Sequence, residues 1–494
     1  MKRTCIFQFA SSSIHLAASL EILAEKNQNN GDIYFCFWGN QTLLPNKMAK
    51  TATSLFGSTP RKILNLIEAA NPYALVSTKI SFNGDWVNTI LVQFQAQLNK
   101  ISDLSELHTL CVDQIKPGAA LANEIINRTR DRYVNLSEIT KLTLNLLKSY
   151  LTVYAGTKDF LIQNEIAEVY VYNGRFLHER AVWDAARDLK KEVFIFETLR
   201  NRFQIRAEGF HNRLNNQKVM KDIWKESDLP LKDKIAVGSV WFNDMSSKKN
   251  KYNLGTDFDL INEKDFIVYY VSSDEEMFGF WDQWAEPLGT QYECILKLID
   301  IFEEQSVFDL FIKLHPNFLN KSNSVMKKMM SIPLKSNSRI IMPDSDISTY
   351  DLLNKSVGTI TIGSTIGIES AFHLRPVLML ADTKYDDIGV GFKASNWSEV
   401  REWVNNVKSF PIYQLEQIKS NACIFGFYYA KAGQDFLHTS LIETGIPGAW
   451  EATKFKNIKI SENRFLTIFR KIFSKFAIGV FFYKSGDKFI NSFR

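Results

Sequence analysis

Short, continuous apolar runs alternate with helical segments in both halves of this chain, and this rhythm constrains the fold more than any other feature. In the first half, strand-like runs lie at residues 4–10, 32–38, 168–172 and 192–197. The second half repeats them at residues 266–271, 310–314, 339–342, 358–362 and 376–380. Continuous rather than alternating runs are typical of parallel strands that helices cover on both faces. The sequence therefore predicts an α/β protein with doubly wound sheets.

The length of 494 residues exceeds what one hydrophobic core holds, so we expect two domains of roughly 200 residues each. We place the first domain at residues 1–240 and the second at 241–450, with a charged surface stretch at 243–264 near the boundary. The predicted class is two Rossmann-like domains facing a cleft, the architecture called GT-B. Ligands of such sheets bind beyond the carboxyl ends of the strands.

Composition narrows the function class. The content of 45% hydrophobic and 23% charged residues is that of a soluble globular protein. The five cysteines are scattered and lack CxxC spacing, which favours a reducing compartment over disulfides or a zinc site. The first apolar stretch breaks at residues 11–13, so we expect a buried strand there, not a signal peptide, and a cytoplasmic protein.

Basic charge is concentrated at the end of the chain. The whole chain has a net charge of +5, whereas residues 451–494 hold ten Lys or Arg against three Asp or Glu, a net charge of +7. The other 450 residues then carry 49 basic and 51 acidic side chains. A nearly neutral body disfavours nucleic acid as a partner.

The basic tail, residues 451–494, has the pattern of an amphipathic helix. One helical face would carry Phe465, Ile468, Phe469, Ile472 and Phe476. The basic side chains among them interrupt any run long enough to span a bilayer. We predict peripheral attachment to the anionic inner face of the plasma membrane. The alternative is an ordinary C-terminal helix that packs on the protein.

The strongest chemical motif is Lys313-Leu314-His315-Pro316-Asn317, directly after a predicted strand. Pro316 restricts His315 to an extended conformation, which holds the imidazole at the carboxyl end of the strand. A histidine there can stabilise the phosphate of a departing nucleotide. The alternative is a histidine that only hydrogen-bonds a loop carbonyl.

A second motif covers residues 361–370. A strand ends at Gly363, and Ser364 and Thr365 open a helix whose first backbone N–H groups are expected to be unpaired. Hydroxyls beside such a helix start suit a phosphate. Glu369 follows one turn later, within reach of a ribose hydroxyl. The alternative is a plain helix cap with a solvent-facing glutamate.

These two motifs, with the later Tyr385-Asp386-Asp387-Ile388-Gly389, resemble the capsular polysaccharide synthesis glycosyltransferases over residues 168–392. That family includes bacterial transferases of 3-deoxy-manno-octulosonate (Kdo). The His-Pro and Ser-Thr pair is also similar to that of bacterial GT-B sialyltransferases, which likewise use CMP-sugars.

The resemblance implies roles for particular residues. His315, Ser364 and Thr365 would contact the donor phosphate and Glu369 the ribose. Lys313, Asn317 and Tyr385 are further predicted nucleotide-sugar contacts. From the sequence itself, Ser272, Ser273 and Asp274 after the first strand of the second domain are predicted to line the donor cleft; the alternative is a simple helix-capping cluster. Glu197 would be the general base, although Thr198 and Leu199 stand where the family has a second acid and a glycine. The alternative for Glu197 is an ion pair with Arg200 or Arg202.

Residues at the carboxyl ends of the first-domain strands are the candidates for acceptor binding. They are His15, Asn173, Arg175 and Arg200. A glycine turn with polar flanks follows the strand at 168–172, and arginines can grip a carboxylate or phosphate.

The sequence thus predicts a metal-independent glycosyltransferase. It would move a sugar, for instance Kdo or a sialic-acid-like sugar from a CMP-sugar, to a bacterial surface polysaccharide or a lipid-linked glycan. The nucleotide-sugar is a substrate, so no cofactor and no metal site are expected. Two alternatives stay open. One is a teichoic-acid-type polyol-phosphate transferase, and the other is a catalytically silent, membrane-bound scaffold of a polysaccharide assembly complex.

Overall fold

The computed structural model describes residues 2–9, 12–26, 32–38, 60–129, 131–210, 212–250, 264–273, 286–316, 318, 323–345, 347–444 and 450–460. Within these ranges the chain forms two compact units. The first holds residues up to Phe210 together with those from Gly433 onward, and the second holds the residues between them. The amphipathic helix predicted for the tail lies outside the described residues.

The elements are numbered along the described chain. The strands are β1 Arg3–Gln8, β2 Ile33–Phe37, β3 Leu75–Ser77, β4 Ile166–Tyr172, β5 Glu192–Leu199, β6 Arg202–Arg206, β7 Phe266–Tyr270, β8 Asp309–Lys313, β9 Ser338–Ile341, β10 Gly358–Thr361, β11 Val377–Met379, β12 Phe392–Lys393, β13 Gln434–Asp435, β14 Thr439–Glu443, β15 Trp450–Phe455 and β16 Ile458–Lys459. The α-helices are α1 Ser13–Lys26, α2 Pro60–Ala70, α3 Gly84–Leu98, α4 Leu104–His108, α5 Gly118–Thr129, α6 Thr140–Gln163, α7 Leu177–Asp188, α8 Arg213–Glu226, α9 Leu231–Asn250, α10 Gln291–Gln305, α11 Asn323–Met330, α12 Thr349–Lys355, α13 Ile366–Phe372, α14 Trp397–Asn406 and α15 Ile412–Lys431.

The main sheet of the first unit has the strand order β13-β6-β5-β4-β1-β2-β3. Strands β1 to β5 are parallel, whereas β6 runs antiparallel to β5 and β13 antiparallel to β6. The side chains of Cys5, Ile6 and Phe7 in β1 are fully buried. The winding reverses between β1 and β4, so the crevice beyond the carboxyl ends of these strands is the expected ligand position of this unit.

The segment from Gly433 onward returns to the first unit, where it adds β13 and the antiparallel sheet β14-β15-β16. The carboxylate of Glu21 in α1 accepts hydrogen bonds from the His438 N–H at 2.8 Å and the Thr439 hydroxyl at 2.7 Å. Phe455 of β15 is fully buried in the core that α1 covers. Residues 451–460 are therefore part of the folded unit, and the predicted tail boundary at 451 is too early.

The sheet of the second unit has the order β12-β11-β10-β7-β8-β9, and its neighbouring strands are all parallel. The chain winds from β7 through β8 to β9, and then crosses to β10 and continues to β12. This is the order of a dinucleotide-binding sheet, and its reversal point lies between β7 and β10.

The two units meet in sequence at residue 210, not at the predicted residue 240. Helices α8 and α9 pack on α15 of the second unit. The backbones of α9 and α15 touch, because a Cβ on Gly238 would lie 2.2 Å from the Cys423 carbonyl oxygen, and one on Gly426 would lie 2.0 Å from the Gly238 carbonyl oxygen. Of the predicted charged stretch, residues 243–250 end α9 and 251–263 lie outside the described residues.

The fold class is confirmed unit by unit as α/β with doubly wound, largely parallel sheets. Each predicted strand is present within two residues of its predicted bounds. These strands could be predicted because they are buried on both faces, as all five residues of β7 and all five of β8 show. Strands buried on both faces read as uninterrupted apolar runs.

Candidate functional site

Three neighbouring strands of the second unit end in one row. Thr361 of β10 pairs with Tyr270 of β7, and Tyr270 pairs with Lys313 of β8. Adjacent strands lie about 4.8 Å apart, so the ends of β10 and β8 are about 10 Å apart. The predicted site residues that follow this row are Ser272, His315 and Ser364. The fold therefore brings three residues that were predicted separately, Ser272, His315 and Ser364, to the reversal point of one sheet.

Lys313 ends β8 with a buried ammonium group. The Nζ atom donates a hydrogen bond to the Met342 carbonyl at 3.1 Å. Burial lowers the pKa of Lys313 to about 8, and the nearby Asp344 carboxylate acts in the opposite direction. Because this pKa still exceeds 7, most of the Lys313 side chains carry a positive charge at neutral pH. That charge lies two residues from His315, where it favours an anionic ligand.

His315 lies in the turn that follows β8. The Leu314 N–H donates to the Ile341 carbonyl at 3.0 Å, which extends the strand pairing to the residue before the histidine. The Phe318 N–H then donates to the His315 carbonyl at 2.9 Å, and the fully buried Phe318 ring anchors the turn. The His315 side chain is partly exposed at the sheet edge, as predicted. Asn317 lies outside the described residues.

Ser272 follows β7, and Gln291 at the start of α10 fixes its backbone. The Ser272 N–H donates to Gln291 Oε1 at 2.6 Å, and the Ser272 carbonyl accepts from Gln291 Nε2 at 3.2 Å. The buried Ser272 hydroxyl has no hydrogen-bond partner within the described residues. Such a group costs about 1–3 kcal/mol, which a ligand oxygen would offset. Ser273 follows directly, and Asp274 lies outside the described residues.

The Ser364 turn differs from its prediction. The Thr361 hydroxyl accepts hydrogen bonds from the N–H groups of Gly363 at 3.3 Å and Ser364 at 3.0 Å. The prediction of an unpaired N–H at Ser364 is therefore wrong. Thr365 is exposed, and its side chain makes no capping hydrogen bond. The hydroxyls of Ser364 and Thr365 are the groups of this turn that suit a phosphate.

Glu369 and Tyr385 are interior residues, each with about 1% of its surface exposed. The Tyr350 hydroxyl donates to the Glu369 carboxylate, and the Tyr385 hydroxyl donates to the Ser364 carbonyl. Burial, together with the Glu369 charge, raises the pKa of Tyr350 and of Tyr385, which keeps both phenols protonated. Their predicted contacts with ribose and nucleotide are corrected, because protein atoms enclose both side chains. They support the turn instead.

In the first unit, the structure brings Asn173 and Glu197 together. Asn173 follows β4 in a left-handed conformation with φ 55°. The Asn173 N–H donates to the Phe196 carbonyl at 2.8 Å, and its Nδ2 donates to Glu197 Oε1 at 2.7 Å. The amide side chain is buried, whereas the carboxylate of Glu197 is partly exposed. The hydrogen bond orients this carboxylate at the carboxyl end of β5.

His15 lies beside this pair. Its ring stacks on Tyr172 with centroids 3.9 Å apart. Burial lowers the pKa of His15 to about 4, so the imidazole is neutral at pH 7. His15 Nδ1 is buried without a hydrogen-bond partner among the residues that the structure describes. Burial first, and then the Glu197 charge, raises the pKa of Tyr172. Three predicted residues thus gather around Tyr172 near the reversal point between β1 and β4.

The predicted arginines have different surroundings. The Arg175 guanidinium lies over the Phe176 ring, 4.8 Å from its centroid. Arg200 forms the turn between β5 and β6 with φ 56°. Arg202 donates to Asp435 at 2.7 Å and to the Gly433 carbonyl at 2.8 Å, which fastens the returning segment. Acceptor binding by Arg175 and Arg200 stays a prediction.

Glu179 in the first turn of α7 is a buried carboxyl to which the sequence had assigned no role. Burial raises the pKa of Glu179 to about 8, opposed by a hydrogen bond from its own backbone N–H. A carboxyl whose folded pKa is raised favours the folded state most below its unfolded pKa of 4.5. That contribution is lost as the pH rises from 4.5 to about 8.

We therefore expect Glu179→Gln to stabilise the protein at pH 8 by about 1 kcal/mol or more, and progressively less towards pH 5. Glutamine keeps the neutral shape and removes the cost of ionisation. Thermal unfolding of wild type and variant between pH 5 and 8.5 measures the difference. Glu165→Gln, at an exposed carboxylate, is the control. A Glu179→Gln melting temperature that tracks the wild type at every pH would contradict this prediction.

Sequence reasoning missed residues that support the site. Gln291 was readable indirectly, because Thr290 and Glu293 form a capping box that marks the start of α10. Thr361 begins the second motif but was given no role of its own, although its partners Gly363 and Ser364 are only two and three residues away. Tyr350 carried no local signal, because its partner Glu369 lies 19 residues further along the chain on another helix.

Two other features are absent from the described ranges. No group of three or more His, Cys, Asp or Glu side chains there could hold a metal ion. No helix in the described part of the chain is long and apolar enough to cross a membrane.

Comparison with known families gives a match within the second unit. Residues 284–415 match the family described as capsule polysaccharide biosynthesis protein. The match includes His315, the Ser364 turn and the loop of Tyr385. The resemblance that the motifs predicted is thereby confirmed for this region. No curated protein matches the chain.

Solved structures show distant likeness. The chain is similar to the β-Kdo 2,4 transferase of Thermosulfurimonas dismutans KpsC at 13% identity and a TM-score of 0.35, over 51% of this chain and 79% of that chain. The β-Kdo 2,7 transferase of the same protein is 12% identical with a TM-score of 0.33, over 54% of this chain and 79% of that chain. S. aureus MnaA, solved with UDP, is 13% identical with a TM-score of 0.31, over 85% of this chain and 91% of that chain.

The family match covers the part of the second unit that carries His315, the Ser364 turn and Tyr385, and it links this region to capsule polysaccharide biosynthesis.

Proposed function

We propose that this chain transfers a sugar from a nucleotide-sugar to a bacterial surface polysaccharide or a lipid-linked glycan. The observation that carries the proposal is the row of Thr361, Tyr270 and Lys313, which delivers the Ser364, Ser272 and His315 segments to one reversal point. Nucleotides bind at such points in open parallel sheets. The capsule biosynthesis match over the same region supports a sugar nucleotide as the ligand.

The second unit supplies stabilisation of the leaving group. When the bond between the anomeric carbon and the nucleotide oxygen breaks, negative charge grows on the phosphate. The Lys313 ammonium, the His315 imidazole and the hydroxyls of Ser272, Ser364 and Thr365 are suited to that charge. Groups placed in advance need no reorganisation during the reaction, which is why such electrostatic stabilisation is effective.

The first unit supplies the base. Glu197 takes the proton of the acceptor hydroxyl, and the resulting oxygen attacks the anomeric carbon of the donor sugar. Asn173 holds one carboxylate oxygen at 2.7 Å, which fixes the direction in which the base faces. His15, Arg175 and Arg200 bind the acceptor in this proposal, whereas the buried Asn173 side chain acts through Glu197.

We further propose a CMP-sugar as donor, with Kdo or a sialic-acid-like sugar. The support is the capsule biosynthesis match and the likeness to transferases whose names include Kdo. A thermal-shift panel with CMP, UDP, GDP and ADP tests it. Saturating CMP at 100 times its dissociation constant would stabilise the protein by about 2.7 kcal/mol. Ser272→Ala should reduce the CMP shift, whereas Ser409→Ala, far along the chain, should not.

Other outcomes of the panel point elsewhere. If UDP or GDP raises the melting temperature more than CMP does, the donor is a UDP- or GDP-sugar and the transferase proposal still stands. No shift with any nucleotide would favour a silent scaffold. If transfer occurs but the product contains a phosphodiester, the enzyme is a polyol-phosphate transferase.

We propose that the chain works in the cytoplasm, at the inner face of the plasma membrane, through its basic C-terminal residues. The support is the sequence of residues 461–494, with its excess of Lys and Arg and its Phe-rich spacing. A lipid-linked acceptor would lie at the same surface.

Deletion of residues 461–494 should abolish most binding to anionic vesicles and leave transfer to a short soluble acceptor intact. The reason is that every proposed site residue precedes residue 400. Sedimentation with phosphatidylglycerol vesicles at rising salt measures the binding, which should weaken as charge is screened. Neutral phosphatidylcholine vesicles are the control. Equal sedimentation of the full and shortened chains would contradict the proposal.

A further inference from the structure

The Tyr385-Asp386-Asp387-Ile388-Gly389 loop lies against the Ser364 turn of the second unit. The Tyr385 hydroxyl donates a hydrogen bond to the Ser364 carbonyl. The fit is close, because a Cβ on Gly367 would lie 2.6 Å from the Tyr385 hydroxyl oxygen. Any movement of Tyr385 is therefore passed to the turn that carries the Ser364 hydroxyl.

Tyr385 is in turn held by its own loop and by α8. The Tyr385 N–H donates to the Thr383 hydroxyl at 3.1 Å. The Thr383 carbonyl accepts from Gln217 Nε2 of α8 at 3.0 Å. Gln217 also hydrogen-bonds the carboxylate of Asp386, the residue after Tyr385. Gln217 thus holds the loop on both sides of Tyr385, through the backbone carbonyl of Thr383 before it and the side chain of Asp386 after it.

A cluster of ion pairs also holds the Tyr385 loop against α8. Arg213, the first residue of α8, contacts the Asp386 carboxylate at 2.9 Å and 3.1 Å and Asp382 at 3.3 Å. Lys393 Nζ lies 2.6 Å from Asp386 and 2.8 Å from Asp382. Burial alone would lower the pKa of Lys393, but hydrogen bonds to both carboxylates outweigh it and raise the pKa. Two cations thus face two carboxylates, and the Asp386 side chain is 1% exposed.

An ion cluster around a buried carboxylate such as that of Asp386 contributes little net stability relative to apolar packing, but breaking it leaves an uncompensated charge and shifts the groups around it. In this chain, the group next to the cluster is Tyr385. Rigid support is what a phosphate-binding turn needs, since small displacements of its donors weaken binding.

We propose that Tyr385 and Arg213 are positioning residues for the nucleotide-sugar: the cluster of Arg213, Lys393, Asp382 and Asp386 fixes Tyr385, and the Tyr385 hydroxyl fixes the Ser364 turn. This inference rests on the proposed function of that turn. It assigns Tyr385 and Asp386 of the Tyr-Asp-Asp-Ile-Gly motif to donor affinity without any contact between these residues and the donor.

The test compares Tyr385→Phe, Arg213→Lys and Lys221→Met in the full chain. Phenylalanine keeps the ring and removes only the bond to Ser364. Lys221 of α8 pairs with Asp387 of the same loop at 2.5 Å. Within the described residues this pair makes no hydrogen bond or ion pair with Tyr385 or with the Arg213 cluster, so Lys221→Met is the matched control. The measurements are the CMP dissociation constant, the KM values for donor and acceptor, and the melting temperature.

We expect Tyr385→Phe to weaken CMP binding and raise the donor KM about three- to tenfold, as for one lost hydrogen bond, with the acceptor KM unchanged. Arg213→Lys should act in the same direction more weakly, since it keeps the charge and loses the fork of donors. The double variant should then fall short of the product of the single effects. Lys221→Met should leave all binding constants within twofold of the wild type.

Three results separate the possible failures. Lower melting temperatures with unchanged CMP affinity and donor KM in Tyr385→Phe would overturn the positioning role and leave the proposed function standing. An effect of Lys221→Met equal to that of Tyr385→Phe would also overturn it, because any loosening of α8 would then suffice. A wild-type protein that binds no nucleotide would remove the proposed function and this inference together. Tyr385→Phe decides the matter even if the Arg213 variant fails to fold.

Discussion

Replacing His315 with alanine should reduce kcat about 100-fold or more while the protein stays folded. The imidazole is proposed to stabilise the charge that develops on the departing phosphate, and loss of one such group typically has an effect of this size. The fold should survive because the turn is held by backbone groups, with the Phe318 N–H on the His315 carbonyl and the Leu314 N–H on the Ile341 carbonyl. Alanine keeps both of these bonds.

Steady-state kinetics with saturating donor and a circular dichroism melt measure the two parts of this prediction. His438→Ala is the matched control, since this exposed histidine lies in the returning segment of the first unit and uses its backbone N–H to bind Glu21. Its kcat should equal that of the wild type. A folded His315→Ala protein whose kcat stays within a few-fold of the wild type would remove His315 from the mechanism.

The parallel strands could be predicted because each is a local signal. A strand buried on both faces must be apolar throughout, and β7 shows this at all of its five positions. The position of His315 could also be predicted locally, since the strand ends at Lys313 and Pro316 directly follows the histidine and cannot continue strand pairing. Local patterns therefore gave the sheets and the sheet edge at which the chemistry is placed.

The corrections share a different cause. Glu369 is spaced like a helix residue that could face a ligand, but its partner Tyr350 comes from α12 and encloses it. The returning segment shows the same effect at larger separation, since Glu21 binds His438 417 residues away. Such contacts depend on which surfaces the fold brings together. No periodicity along the chain encodes them.

The short antiparallel strand β6 was missed for a related reason. Its residues Arg202, Gln204 and Arg206 alternate with Phe203 and Ile205, a period-two pattern rather than a continuous run. Only the pairing with β5 and β13 shows that this segment belongs to the main sheet. The unit boundary was placed too late for the same reason. The sequence of α8 and α9 does not show which unit these helices belong to, and only their packing on α15 assigns them to the second unit.

Glu197→Gln should lower kcat about 100-fold or more and leave the CMP dissociation constant unchanged. General-base catalysis typically contributes a factor of about 100 to 10,000, and a base acts on the acceptor in the transition state without touching the bound donor. The substitution is close to isosteric. The glutamine carbonyl oxygen can still accept the hydrogen bond from Asn173 Nδ2, which spans 2.7 Å in the wild type, so geometry is preserved and only basicity is lost.

The experiment pairs Glu197→Gln with Glu192→Gln at the other end of the same strand. Glu192 is exposed and binds Lys2 at 2.6 Å, so its loss should affect neither kcat nor CMP binding. Wild-type kcat in Glu197→Gln would pass the role of base to another group, with His15 and Asp274 the next to be substituted. Weaker CMP binding at unchanged kcat would instead make Glu197 a donor-binding residue. A kcat loss confined to Glu197→Gln, with donor affinity intact, is the result that the Asn173–Glu197 geometry leads us to expect.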